Sequence, residues 1–160
     1  MAKLLQCTNL TELNIEGNTG PSPGRLLPFN TNKFPFLRVL FATDCGLATE
    51  DLQAIANGCP NLEKLVITDN RKVRTDGVVA LAKSLHKLEV LNLLSIPKLF
   101  DPALEALAEC PSLQRIYMGT LRRVTTPGLS AFACGKSAST LTRLVCTLPP
   151  PLCRRNSVMM

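Results

Sequence analysis

The frame L-x-x-L-x-L, with other apolar residues replacing leucine at some inner positions, returns along this chain as LTELNI, LRVLFA, LEKLVI, LEVLNL, LQRIYM and LTRLVC. Its first residue falls at Leu10, Leu37, Leu62, Leu88, Leu113 and Leu141, so successive frames stand 27, 25, 26, 25 and 28 residues apart. A near-constant period of about 20–50 residues marks an array of stacked units. One unit cannot bury its apolar face alone and does so against its neighbours. The period therefore constrains the fold before any single segment is read. The clearest unit, residues 61–85, holds Leu62, Leu65 and Ile67, then Asn70, a short basic loop and a helical stretch.

Alternation within each frame sends its fourth and sixth residues inward and its third, fifth and seventh outward, as in a short strand. The limbs that return from one frame to the next have a different period. Leu52, Ile55, Ala56 and Cys59 fall at i, i+3, i+4 and i+7, as do Val78, Leu81, Ala82 and Leu85. Leu104, Leu107 and Ala108 repeat the start of that pattern, and so do Leu129, Phe132 and Ala133. Each set predicts a helix with one apolar stripe. Asp101-Pro102 and Thr126-Pro127 read as a capping residue before a first-turn proline, and Thr49 and Thr75 as caps of the other two helices. The first return limb differs. Pro21, Pro23, Pro28 and Pro35 preclude a regular helix, and an irregular loop packed by Leu26, Leu27, Phe34 and Phe36 is expected there. Right-handed crossovers would stack the strands in parallel. The expectation is a curved α/β solenoid over residues 1–147, strands on its concave side and helices on its convex side. Residues 1–9 match the end of a helix plus a junction, so the array begins within a unit, and no polar cap is visible at either end. Residues 148–160 carry no repeat pattern and are expected to be extended or disordered.

These frames resemble the leucine-rich repeat family, and in particular its cysteine-containing subclass in F-box and related proteins. That subclass favours a C-P-x-L junction, present as Cys59-Pro60-Asn61-Leu62 and Cys110-Pro111-Ser112-Leu113, with Cys7-Thr8-Asn9-Leu10 a looser version. The polar ninth position of the frame is Asn18, Cys45 and Asn70, then becomes Ile96 and Leu121. The resemblance implies a right-handed superhelix and a non-enzymatic surface for recognising another protein. At its most specific it implies substrate recognition within a ubiquitin-ligase complex, although the F-box of such receptors has no match here.

Composition excludes several other classes. With 46% hydrophobic and 19% charged residues, the chain reads as folded rather than disordered. No apolar run approaches the roughly 20 residues that span a bilayer, so no membrane association is expected. The segment MAKLLQCTNLTEL lacks the apolar core of a secretory signal, which points to a cytoplasmic or nuclear location. Seven cysteines include no C-x-x-C, and His86 stands alone, so neither a metal nor any other cofactor is expected. Cys59 and Cys110 recur at equivalent positions, which points to packing between units. There is no phosphate-binding glycine loop, no H-E-x-x-H and no G-x-S-x-G. The chain does not read as an enzyme.

The outward frame positions are the more informative set. Val39, Lys64, Val90 and Arg115 hold the third place, Phe41, Val66, Asn92 and Tyr117 the fifth, and Thr43 and Leu94 the seventh. Together they form the expected contact surface for another protein. Val39, Phe41, Val66, Val90, Leu94 and Tyr117 would make an apolar centre on a face that meets water, and such patches mark interaction sites. Arg115 and Tyr117 are of types enriched among binding hot spots. Part of the pattern is strand propensity, since β-branched and aromatic residues suit strands wherever they lie.

The net charge of +6 is partly organised. Arg71, Lys72 and Arg74, then Lys98, then Arg122 and Arg123 occupy the loops after successive strands, where stacking would line them along one rim. Such a basic ridge is either a solvated edge or a means of steering an acidic partner. One Tyr, six Phe and no Trp supply few stacking platforms, which argues against nucleic acid as that partner. Two other readings remain open: a scaffolding subunit that assembles through uncapped ends, and a basic-rim binder of acidic partners including nucleic acid.

Overall fold

A computed structural model describes residues 7, 9–17 and 34–148. Six strands lie in one sheet in chain order: β1 (Glu12–Asn14), β2 (Val39–Phe41), β3 (Lys64–Val66), β4 (Val90–Leu93), β5 (Arg115–Thr120) and β6 (Arg143–Thr147). Four helices alternate with them from the second rung onward: α1 (Thr49–Gly58), α2 (Thr75–Ser84), α3 (Asp101–Ala108) and α4 (Thr126–Cys134). A 3-10 turn, Lys136–Ser139, follows α4. Every neighbouring pair of strands is parallel, and third frame positions align across the whole sheet, from Glu12 through Val39, Lys64, Val90 and Arg115 to Arg143. This is the α/β repeat solenoid that the frame predicts.

The core lies between the sheet and the helices. Leu40, Leu65, Leu91 and Ile116 at the fourth position, and Ala42, Ile67, Leu93 and Met118 at the sixth, are buried. So are Leu37, Leu62, Leu88 and Leu113, which open the frames, and Leu52, Ile55, Val78, Leu81, Leu104 and Leu107 on the helices. Burying one such leucine contributes about 1.5–3 kcal/mol. The predicted stripes hold except at their end. Ala133 is exposed, and inward-facing Leu144 is 45% exposed because β6 pairs only with β5 among the described residues.

A left-handed residue ends most rungs. The eighth frame position has positive φ at Gly17 (68°), Asp44 (49°), Asp69 (62°) and Ser95 (61°). Glycine takes this conformation freely and Asp tolerates it. In the fifth frame the same place is Thr120, whose β-branched side chain resists it. There β5 runs on for six residues, and its register with β6 shifts between Tyr117 and Thr120.

The residues read as helix caps do something else. Thr49, Thr75, Asp101 and Thr126 are the first helical residues, and none of the helices has a side-chain cap bond from the residue before. Three of the four face the next unit instead. Thr49 Oγ1 accepts from Arg74 N–H (3.2 Å) and Thr75 Oγ1 from Phe100 N–H (3.0 Å), while Asp101 Oδ1 accepts from Thr125 N–H (2.7 Å). These bonds form a second inter-repeat ladder, at the helix starts. α1 gains a partial cap another way, since Asp51 Oδ2 accepts from Ala48 N–H at 2.8 Å.

On the irregular first limb, Phe34 is fully buried, but Phe36 is 56% exposed and does not pack the loop. Leu26, Leu27, Pro21, Pro23, Pro28 and Asn18, and the tail 149–160, lie outside the described residues. Among the described residues no helix is long and apolar enough to cross a membrane.

Candidate functional site

Two surfaces gather the outward residues: the open face of the sheet, and the rim of loops between strand ends and helix starts. On the open face the parallel register sets third, fifth and seventh frame positions in columns. Val39, Phe41, Thr43, Lys64, Val66, Asn92, Leu94 and Tyr117 are half-buried there, and Arg115 is exposed. Val90 differs. It sits between Lys64 and Arg115 in its column and is only 8% exposed. It therefore belongs to the floor of the face rather than to its accessible part.

The two rings on this face are not bare. Lys64 Nζ lies 4.6 Å from the centre of the Phe41 ring, and the Arg143 guanidinium 6.0 Å from that of Tyr117. In each case the cation comes from the next rung, diagonally across the register. An exposed cation–π contact stabilises by about 0.5–1 kcal/mol, and here each cation covers one side of its ring. The apolar centre expected from alternation alone is thus smaller. Val39, Val66 and Leu94 supply it, flanked by two aromatic–cation pairs. A single strand's alternation cannot reveal a diagonal pair; knowing the register between rungs could.

Polar groups on the face are partly spoken for. Asn92 Oδ1 accepts from Leu94 N–H at 3.1 Å. Thr43 donates its hydroxyl to Glu16 Oε1 at 3.1 Å. Charge is graded along the sheet. Glu12 and Glu16 are exposed at its first rung, and Arg115 and Arg143 at its last two.

Five of the six rim cations line one of two depressions. All six of Arg71, Lys72, Arg74, Lys98, Arg122 and Arg123 are exposed, but the loops sort them into two depressions. Arg71 and Lys72 line one with Asp44, Asp69 and Gly46, where two carboxylates balance two cations. Arg74, Lys98 and Arg123 line the other with Thr75, Asp76, Phe100 and Pro102. Arg122 lines neither.

Among the described residues, Cys45, Cys59 and Cys110 are buried, whereas Cys7 and Cys134 are exposed and Cys146 is half-buried. Burial pushes the Cys59 thiol up to about 12. Burial, with the Glu109 carboxylate beside it, pushes Cys110 up to about 11. Thiols so raised stay neutral and unreactive at ordinary pH, which suits the packing role expected of Cys59 and Cys110. Among the described residues, no three His, Cys, Asp or Glu side chains converge as they would around a metal ion.

A family model described as Leucine Rich repeat matches residues 6–19 and 58–82. These segments contain the first and third frames and the start of α2, and the match supports the leucine-rich repeat family for this chain. No curated protein matches it.

Proposed function

We propose that this leucine-rich repeat array is a non-enzymatic module that captures a protein partner on the open, concave face of its sheet. The observation that carries the reading is the pairing on that face: Phe41 under Lys64 and Tyr117 under Arg143, either side of Val66 and Leu94. Rings held in place by a neighbouring rung lose little freedom on binding, and such preorganised aromatics are what hot spots are made of. Arg115 and Arg143 at one end and Glu12 and Glu16 at the other would orient the partner, because complementary charge sets register and suppresses wrong partners.

The finer form of this reading is substrate recognition for a ubiquitin ligase. It rests on the junctions Cys59-Pro60-Asn61-Leu62 and Cys110-Pro111-Ser112-Leu113, whose cysteines and leucines are all buried between units. Co-purification with a ligase adaptor would support it.

The test is affinity capture with the wild-type array and with Phe41→Ala/Tyr117→Ala. Neither ring is part of the buried core, so the double variant should keep the circular dichroism spectrum of the wild type. It should bind the captured partner at least tenfold more weakly, the loss of about 1.4 kcal/mol or more expected when hot-spot side chains are truncated. Equal capture by a folded double variant would move the interface off this face.

A further inference from the structure

We propose that the depression lined by Arg74, Lys98, Phe100 and Arg123 is a second binding site, independent of the sheet face, for a short acidic segment of a protein carrying one apolar side chain. The depression is open to solvent, with a volume of about 640 Å³, and so suits a segment laid across it rather than a small molecule enclosed in it. Three cations meet there against one carboxylate, Asp76. The ion pairs among the described residues, Arg38–Glu63 and Lys136–Glu109, lie elsewhere and leave all three cations free of carboxylate partners. Asp101, on the adjoining helix start, adds a second carboxylate beside the lining, and the three cations still exceed the two carboxylates. Both its oxygens are engaged, Oδ1 by Thr125 N–H and Oδ2 by the Thr125 hydroxyl.

The floor is apolar and fixed. Phe100 is 40% exposed, with the Arg123 guanidinium 5.3 Å from its ring centre on one side and Pro102 in the same lining. Its backbone is pinned by two units at once. Phe100 N–H donates to Thr75 Oγ1 (3.0 Å), that hydroxyl donates to Lys98 O (3.2 Å), and Phe100 pairs with Arg123 through a parallel bridge. The backbone that carries Arg74, Lys98 and Arg123 is therefore held by contacts between units, so on binding only their side chains remain to be ordered.

The occupant follows from this chemistry. Guanidinium forks and an ammonium take the acidic oxygens of a carboxylate or phosphate group, and the exposed ring between them suits an apolar side chain on the same segment. An inorganic anion would make no use of the ring. A nucleic-acid strand is stacked base by base on successive aromatic platforms, and one ring partly covered by an arginine offers a single partial platform. The neighbouring depression supplies an internal contrast, because its two cations face Asp44 and Asp69.

Fluorescence anisotropy of a labelled peptide of glutamates around one central leucine tests the proposal. The intact chain should bind it, bind the lysine-for-glutamate version at least tenfold more weakly, and lose affinity as salt rises. Arg74→Glu/Lys98→Glu should weaken binding more than tenfold, and Phe100→Ala or a glycine-for-leucine peptide about threefold or more. Arg71→Glu/Lys72→Glu and Phe41→Ala/Tyr117→Ala should leave affinity within about twofold, which separates this site from the sheet face. If the charge reversal perturbs the circular dichroism spectrum, Lys98→Gln with a salt titration replaces it. The proposal is overturned if the wild type does not bind the peptide, if oligothymidylate binds more tightly, or if either control variant loses as much affinity as Arg74→Glu/Lys98→Glu.

Discussion

Asn70 is fully buried and uses both ends of its amide. Its Nδ2 donates to Ala42 O (2.7 Å) and Ile67 O (3.0 Å), and its Oδ1 accepts from Leu47 N–H (2.8 Å) and Cys45 N–H (3.2 Å). Two units are thereby joined through one side chain. Asn70→Leu keeps the branching of the side chain, is bulkier, and strands those backbone groups, each costing about 1–3 kcal/mol when buried unpaired. The variant should lose about 3 kcal/mol or more in urea denaturation, well beyond a typical surface change. Cys59 yields a prediction of the opposite kind, visible only at high pH. Its folded thiol is raised to about 12, so the unfolded chain ionises first, near the usual thiol value. Its contribution to stability is whole below about pH 9 and is lost as pH rises from there toward the folded value. Wild type should therefore lose stability more steeply between pH 9 and pH 11 than Cys59→Ala does. Parallel slopes in urea melts would contradict this.

At the level of elements, the helix starts and the sheet are locked by different ladders, and the sequence exposed one better than the other. The sheet was legible because leucine spacing repeats and a period of two sorts residues into faces without further information. The helix-start ladder was not. Thr49, Thr75 and Asp101 look like caps, and only the offset between stacked units, about one repeat, shows that their oxygens reach the next backbone instead. Packing along this ladder also sets residue size. A Cβ built on Gly128 would collide with the Asp101 carboxylate, and one on Gly77 would come within 3.1 Å of Leu52. Gly128→Ala should thus cost about 1–3 kcal/mol through overpacking. In an Asp101→Ala background the same change should cost measurably less, since the two sites share one contact. Equal costs in both backgrounds, measured by thermal unfolding, would show that the collision is relieved in some other way.

For the whole molecule, the repeat array determines which residues share a surface, and two surfaces result. Alternation sorts these residues onto one face of the sheet, yet it placed Val90 among the accessible ones and missed the cations over Phe41 and Tyr117. Both depend on diagonal neighbours in the next rung. The rim was legible as a row of charges, but its division into a balanced and an unbalanced depression depends on where Asp44, Asp69 and Phe100 fall in three dimensions. The proposed partner docks on the sheet rather than on the helices. Site-specific photocrosslinking tests this most directly, with a benzophenone amino acid at position 117 on the open face and, separately, at position 53, exposed on α1. The partner captured by the wild-type array should crosslink from position 117 and not from position 53. Crosslinking from position 53 alone, or equally from both, would contradict it.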